Sequence, residues 1–468
     1  MPVRLADDWR EVTVGFVQEL GEALPDGTVV TDADVLESYR FDRTTWIDPG
    51  QPVAAAFPTT TEQVAAAIRT AAAHGIPVVP RGAGSSLAGA ASAIDGCLVL
   101  CLERMDRILA IEPDDQLVTV EPGVLNADIS AAAQPHGLWY PPDPASKEFC
   151  SIGGNVATNA GGLCCVKYGV TRDYVLGLEV VLPDGEVIET GRRTIKGVAG
   201  YDLTNLFIGS EGTLGVVTKV RARLRALPDP PATMVAFFPS LVAAGRAVAA
   251  ITRSGPVLSL LEIVDHTTLV AIDDWRNMGL DRDAAALILA QSDSPESLRR
   301  IEIEQAAELC DQAGATYTAT TTDADESDAL LEARRLAIPA LERMGPTLLD
   351  DIAVPRSRIP ELMERTNEIA DKRDLVIGNF GHAGDGNMHP TIVLPRGDDD
   401  ALMRGREAFD DLVEAALDLG GTITGEHGVG AIKGHFLARE VGSGNLALQR
   451  RIKHAVDPEG IMNPGRWL

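Results

Sequence analysis

Glycine punctuates the stretch from Pro80 to Gly215 four times, and at each of these points the backbone is free to come close to something. PRGAGSSLAG (80–89) follows a run of strand composition, SIGGNVATNAGG (151–162) carries no charge, and GYDL (200–203) and GSEGTLG (209–215) precede another such run. Glycine tolerates positive φ and lets backbone N–H groups converge on ligand oxygens. The first loop lacks the Gly-Lys-Ser/Thr ending of a P-loop, and it does not open a helix as the dinucleotide fingerprint GXGXXG does. Alone it suits a plain turn as well as a phosphate. Four such loops in one region point instead to a single extended, phosphate-bearing ligand touched repeatedly.

The surrounding pattern is α+β. PVAAAFP reads as a strand, TEQVAAAIRTAAAHG as a helix ending at Gly75, and IPVVP as a second strand, a βαβ-like start. His74, before that glycine, reads as a C-terminal cap of the helix. GLEVVLPDGEVIETG is a hairpin with its turn at Asp184-Gly185. LPDPPATMVAFFP, from Leu227, is proline-rich and reads as a connector into a second unit, where helices such as SPESLRRIEIEQAAELCDQAG alternate with strands. No internal repeat interrupts this order.

With 468 residues the chain is long enough for two or three domains, and 45% apolar with 23% charged residues is an ordinary globular composition. The net charge of −27 opposes binding to nucleic acid or to an anionic membrane surface. An anionic substrate would need a local group of arginines. No apolar run reaches the ~18 residues of a membrane span, and the acidic start MPVRLADDWREVT is unlike a secretory signal, so a cytoplasmic protein is expected. The six cysteines show neither a disulfide framework nor a CX2C pair. Cys97 and Cys101 read as inward-facing residues of an apolar strand.

FGHAGDGNMH (380–389) places two of the eight histidines around an Asp-Gly pair. A two-residue turn at Asp385-Gly386 makes His382 face His389, so that two imidazoles could share one ion. The spacing alone leaves a metal site and a hairpin with a polar rim both open. GGTITGEHGVG (420–430) adds Glu426 and His427, adjacent residues whose side chains point to opposite sides of an extended backbone. Two imidazoles and a carboxylate with open positions suit Zn²⁺, Mn²⁺ or Fe²⁺.

PRGAGSSLAG, PPDPASKEFCSIGGNVATNAGG, GYDLTNLFIGSEGTLG and the closing MNPGRW together resemble the FAD-linked 2-hydroxy acid dehydrogenases. This is the D-lactate dehydrogenase, glycolate oxidase large-subunit and D-2-hydroxyglutarate dehydrogenase group of the vanillyl-alcohol-oxidase superfamily. The resemblance implies a two-subdomain FAD-binding domain of the vanillyl-alcohol-oxidase (PCMH) type over residues 1–227. It implies an α+β substrate (cap) domain with an antiparallel sheet over 228–468, its last ~45 residues returning to the FAD domain. The pyrophosphate falls to Arg81, Gly82, Ala83, Gly84, Ser85, Ser86 and Gly89. The ring system falls to Pro142, Asp143, Ser146, Gly153, Gly154, Asn155, Thr158 and Asn159, with Gly209, Glu211, Gly212, Val216 and Asn463 nearby. The first loop has no histidine or cysteine, so the FAD is expected to be noncovalent. Trp46, Tyr201 and Trp467 read as aromatic core residues before walls of the flavin site.

The same resemblance assigns His382, His389 and Glu426 as ligands of a divalent metal, Zn²⁺ before Mn²⁺ or Fe²⁺, and His427 as the general base. The implied reaction is metal-assisted deprotonation of a hydroxyl with hydride transfer from C2 to flavin N5, giving a 2-oxo acid. Among Arg334, Arg335, Arg356 and Arg358, Arg334 is the candidate for the substrate carboxylate. The D-2-hydroxyglutarate enzymes carry a lysine shortly after this helix, and TLLDDI has none, which favours glycolate or D-lactate. The electron acceptor stays open among a quinone, an electron-transfer protein and an iron–sulfur partner subunit, and a homodimer is compatible with the sequence. The competing readings are a D-2-hydroxyglutarate dehydrogenase, a flavin-binding subunit that needs partner chains, and, more remotely, a metal-dependent hydrolase.

Overall fold

The helix predicted to end at Gly75 spans Thr61–His74, because both of its ends are written into the sequence. Thr60 Oγ accepts the Gln63 N–H at 3.3 Å, and Gly75 closes the other end at φ +65°. His74 contributes differently, its Nε2 lying 2.8 Å from Glu19 Oε2. The helix covers one face of a four-stranded sheet ordered Val29–Val30, Ala54–Ala56, Leu98–Cys101, Val78–Arg81, the last three parallel. Ala54, Ala56, Val78, Leu98 and Leu100 share a core with Val64, Ala67, Ile68 and Ala71 of the helix. The alternate residues Ala55, Val79, Val99, Cys97 and Cys101 bury the opposite face. A parallel sheet covered on both sides explains why these strands are apolar without alternation. The βαβ expectation needs one correction, since the two predicted strands are not neighbours and Leu98–Cys101 lies between them.

The computed structural model describes residues 8–44, 47–398 and 400–467. They gather into two units, the first comprising the chain up to Ala160, Val170–Leu227 and the chain from Glu426 on. The second comprises Gly161–Gly169 and Pro228–Gly425. Besides the parallel sheet, the first unit holds an antiparallel one ordered Ile108–Glu112, Leu117–Val120, Val216–Arg223, Val175–Val181, Val187–Gly191. Its central strand, VVTKVRAR, alternates buried and half-buried residues as one covered face requires. The 184–185 turn forms with Gly185 at φ +80°.

The second unit is built on a seven-stranded sheet whose pairs are all antiparallel. Its order is Tyr317–Thr321, Ala232–Phe238, Ala286–Ser292, Leu260–Asp265, Phe380–His382, Asn387–Met388, Ile352–Ala353. The proline-rich connector is shorter than its sequence suggests, because Ala232–Phe238 is already a strand of this sheet. One face carries Leu260, Val264, Leu289 and Phe380 against Leu336, Ala340 and Leu341 of the following helices. Every residue of Leu260–Asp265 is buried, including Glu262.

Candidate active site

The glycine-rich loops of the first unit are fastened to one another by polar side chains. Ser151 Oγ accepts the N–H groups of Ala83 (3.3 Å) and Gly154 (3.4 Å), joining the first loop to the second. An added Cβ on Gly82 would lie 2.4 Å from that hydroxyl oxygen, so the approach needs glycine. SIGGNVATNAGG is not one flat loop. Ile152–Thr158 is a short helix capped by Ser151 and ended by Asn159 at φ +53°. The 209–215 loop hydrogen-bonds onto it, Gly209 N to Val156 O (2.9 Å) and Glu211 N to Ala157 O (2.8 Å).

Several candidate cofactor residues spend their side chains on this scaffold. Asn155 Oδ1 accepts from Asn126 Nδ2 (2.9 Å), which also reaches Pro142 O (3.1 Å). Asn159 Oδ1 takes the Arg172 N–H, and Asn463 Nδ2 donates to Ala90 O (3.0 Å) and Glu211 O (2.7 Å). Arg81 is buried, donates from Nη1 to Phe41 O at 2.7 Å and lies over the Tyr39 ring. Val216 points into the core. The Glu211 carboxylate accepts the N–H groups of Val429 and Gly430, both at 2.8 Å, and burial pushes it up to about 7. What remains open is backbone: the N–H groups of Gly84, Ser85, Ser86 and Leu87 meet no protein acceptor among the described residues. Tyr201 is exposed, Trp467 is half-buried beside Gly434, and Trp46 lies outside the described residues.

In the second unit the histidine hairpin departs from the predicted turn. The register pairs Gly381 with Met388 and His382 with Asn387, so the loop is the four residues 383–386 rather than Asp385-Gly386 alone. Asp385 N and Gly386 N both donate to His382 O. His382 therefore faces Asn387, and His389 is its diagonal neighbour. Because a two-residue shift preserves the face of every side chain, both imidazoles still share one side. Their Nε2 atoms are 3.3 Å apart, with the rings at 84° and each residue 5% exposed.

His382 Nδ1 lies 2.7 Å from Glu262 Oε1, and Arg334 Nε donates to Glu262 Oε2 at 2.7 Å. Burial raises the Glu262 carboxyl, but His382 and Arg334 outweigh it and hold the group below the usual carboxylate range. An ionised Glu262 can only accept, so His382 Nδ1 carries a proton toward it, and in the neutral imidazole Nε2 is then the nitrogen with the lone pair. Two imidazole nitrogens bound to one tetrahedral ion at about 2.0–2.1 Å would be separated by roughly 3.3 Å, so the donor pair suits a divalent cation. Arg334 is 8% exposed, its guanidinium lies 4.7 Å over Phe380, and its Nη groups have no protein partner among the described residues. Arg335 instead pairs with Asp328 on the surface, Arg358 with Glu361, and Arg356 reaches Gly384 O at 3.3 Å.

Asp351 is a further buried carboxylate of this unit. Oδ2 accepts from Thr424 Oγ (2.7 Å) and Gly425 N (2.9 Å), and Oδ1 is 3.8 Å from His389 Nδ1, beyond hydrogen-bond range. Glu426 and His427 follow directly in the chain and belong to the first unit. Three residues beyond Glu426 begins the backbone that Glu211 holds.

A family model described as "FAD linked oxidases, C-terminal domain" matches residues 227–467, and one described as "FAD binding domain" matches 52–191. This chain belongs to the FAD-linked oxidases. The glycolate oxidase subunit GlcD of Bacillus subtilis is 41% identical over 429 residues, 92% of this chain and 91% of that protein. The D-lactate dehydrogenase of Anaerostipes hadrus is 33% identical, with 98% of each chain covered. Among solved structures, the 4-ethylphenol oxidase of Gulosibacter chungangensis in its isoeugenol complex has the same fold, with a TM-score of 0.79 over 100% of this chain and 98% of that one, at 21% identity.

FAD is thus the cofactor of this FAD-linked oxidase, and the first unit fits it: unpartnered N–H groups at 84–87 offer donors to phosphate oxygens. No helix among the described residues is long and apolar enough to cross a membrane. Three residues of the oxidase escaped the sequence reading. Ser151 was hidden as one serine among several. Glu262 carried a usable signal, a lone charge inside the apolar run LSLLEIV. Asp351 lies in the acidic pair of TLLDDI, where nothing local separates it from Asp350.

Proposed function

We propose that this FAD-linked oxidase converts a small D-2-hydroxy acid, glycolate or D-lactate, to its 2-oxo acid. The first unit holds FAD noncovalently, and the second, from Pro228, presents the substrate. His382, His389 and Glu426 hold a divalent cation, Zn²⁺ before Mn²⁺ or Fe²⁺, and His427 is the base. The observation that carries this reading is a buried guanidinium with free Nη groups tied through one carboxylate to one of two imidazoles whose Nε2 atoms face each other. The GlcD and D-lactate dehydrogenase relatives support the substrate class.

When bound, FAD supplies the two-electron acceptor and the cation lowers the pKa of the hydroxyl it contacts. Arg334 offers its Nη fork to the substrate carboxylate, a match that a lysine cannot make in two bonds. His427 would take the hydroxyl proton as a bound FAD would accept the C2 hydride, so that a proton and an electron pair leave the substrate and its net charge is unchanged. Phe380 and the apolar sheet face keep water from the guanidinium.

A screen of 2-hydroxy acids with an artificial dye acceptor, with and without added Zn²⁺ or Mn²⁺, tests the reading. Dye reduction by glycolate or D-lactate that is lost on chelation and restored by metal is expected. Turnover of none of these acids by flavin-loaded, metal-loaded protein would contradict it. A second reading, a flavin-binding subunit whose turnover needs other chains, is favoured by the GlcD relatives being named subunits.

A further inference from the structure

We infer that Glu262 is a positioning residue that locks the cation-binding imidazole of His382 and the anion-binding fork of Arg334 into one spacing, and so selects 2-hydroxy over 3-hydroxy acids. The inference rests on the reading above. Glu262 is the only charged residue in LSLLEIV, it is 0% exposed, and its strand pairs Ile263 with Gly381 and Val264 with Phe380. Continuing that register puts Glu262 beside His382, with both side chains on the face that packs against the Arg334-bearing region.

Each carboxylate oxygen has one partner: Oε1 meets His382 Nδ1 and Oε2 meets Arg334 Nε, both at 2.7 Å. A carboxylate buried in a sheet core is costly unless it is paired, and an apolar residue would serve the sheet as well. Its two bonds do something an apolar residue cannot. One holds an Nδ1 proton on His382 so that, in the neutral ring, Nε2 is the lone-pair nitrogen beside His389 Nε2, and the other immobilises a long side chain while leaving its Nη groups open. One rigid carboxylate then sets the separation between the hydroxyl-binding and the carboxylate-binding groups. A 2-hydroxy acid carries these functions on adjacent carbons, and a 3-hydroxy acid carries them one carbon farther apart.

Glu262→Gln tests this, because the amide keeps the shape but offers one acceptor oxygen where two donors need one each. In FAD-loaded protein with unchanged flavin content and melting temperature, we expect zinc affinity of the metal-stripped chain, read by chelator competition, to fall roughly 10- to 100-fold. The KM for the best 2-hydroxy acid should rise, and its kcat/KM ratio over the 3-hydroxy analogue should shrink at least about tenfold. Unchanged zinc affinity and unchanged discrimination in Glu262→Gln would overturn the inference. A wild-type chain that neither binds zinc nor oxidises any 2-hydroxy acid would instead remove the functional reading beneath it. Glu262→Asp, which keeps the charge but is too short to span both partners, should lie between the two. Should neither variant fold, ¹⁵N spectra of the wild-type imidazoles decide: a His382 proton on Nδ1 upholds the inference, and one on Nε2 overturns it.

Discussion

Asp351 accepts the Gly425 N–H at 2.9 Å, one residue before the carboxylate of Glu426. The same oxygen takes Thr424 Oγ–H, so a single buried side chain holds the backbone that leads into GEHG. Asp351→Ala should remove two part-buried hydrogen bonds, from Thr424 Oγ and from Gly425 N, at roughly 1 kcal/mol each. Thermal denaturation should show the loss, and metal content should fall with it. An Asp351→Ala protein with wild-type melting temperature and metal content would show that this anchor is dispensable.

The two histidine motifs should separate cleanly. His389→Ala is expected to lose metal. His427→Ala should retain it while turnover drops by roughly 10²–10⁴-fold, the usual worth of a general base. Metal analysis by mass spectrometry beside steady-state rates makes the distinction. Wild-type turnover in both variants would mean the chemistry lies elsewhere.

Arg334→Lys keeps the charge but loses the planar fork and the Nε bond to Glu262. KM for the hydroxy acid should rise about 10- to 100-fold, matching one lost charged hydrogen bond. The solvent-facing Arg335→Lys, whose partner Asp328 is also exposed, is the control and should change nothing. Equal KM values for the two variants would argue against Arg334 as the carboxylate site.

Glu211 gives a pH dependence whose sign follows from its burial, which pushes it up to about 7 against the N–H donors of Val429 and Gly430. An unfolded glutamate titrates near 4.3, so the folded chain holds this proton more tightly than the unfolded one. The contribution is full below about pH 4 and is lost as pH rises through about 7, on the order of 3–4 kcal/mol in all. Urea denaturation of Glu211→Gln should show a flatter stability profile between about pH 5 and 8 than the wild type. Identical slopes would exclude Glu211 as the source.

Local chemistry made much of this molecule legible. Thr60 and Gly75 delimit their helix as written, whereas the choice of Arg334 over Arg335 rests on the family resemblance and not on local pattern. The hairpin shows both the power and the limit of such reasoning. The Asp-Gly pair suggested a two-residue turn, but Asp385 N and Gly386 N both bind His382 O, and the loop takes four residues. The shared face survived because it depends only on parity. Glu262 and Asp351 escaped because a carboxylate gains its role from partners far away in sequence: Glu262 from Arg334 and His382, Asp351 from Gly425. Long-range pairing of this kind leaves no local period to read.

The central claim is that this chain by itself moves two electrons from a 2-hydroxy acid to FAD. Anaerobic mixing of the purified, FAD-loaded and metal-loaded protein with glycolate or D-lactate tests it in a single half-reaction, with no acceptor or partner chain present. Bleaching of the oxidised-flavin absorbance, with formation of glyoxylate or pyruvate in equal amount to the flavin reduced, is the expected result. Flavin that stays oxidised with both acids, while dithionite still bleaches it, would contradict the account.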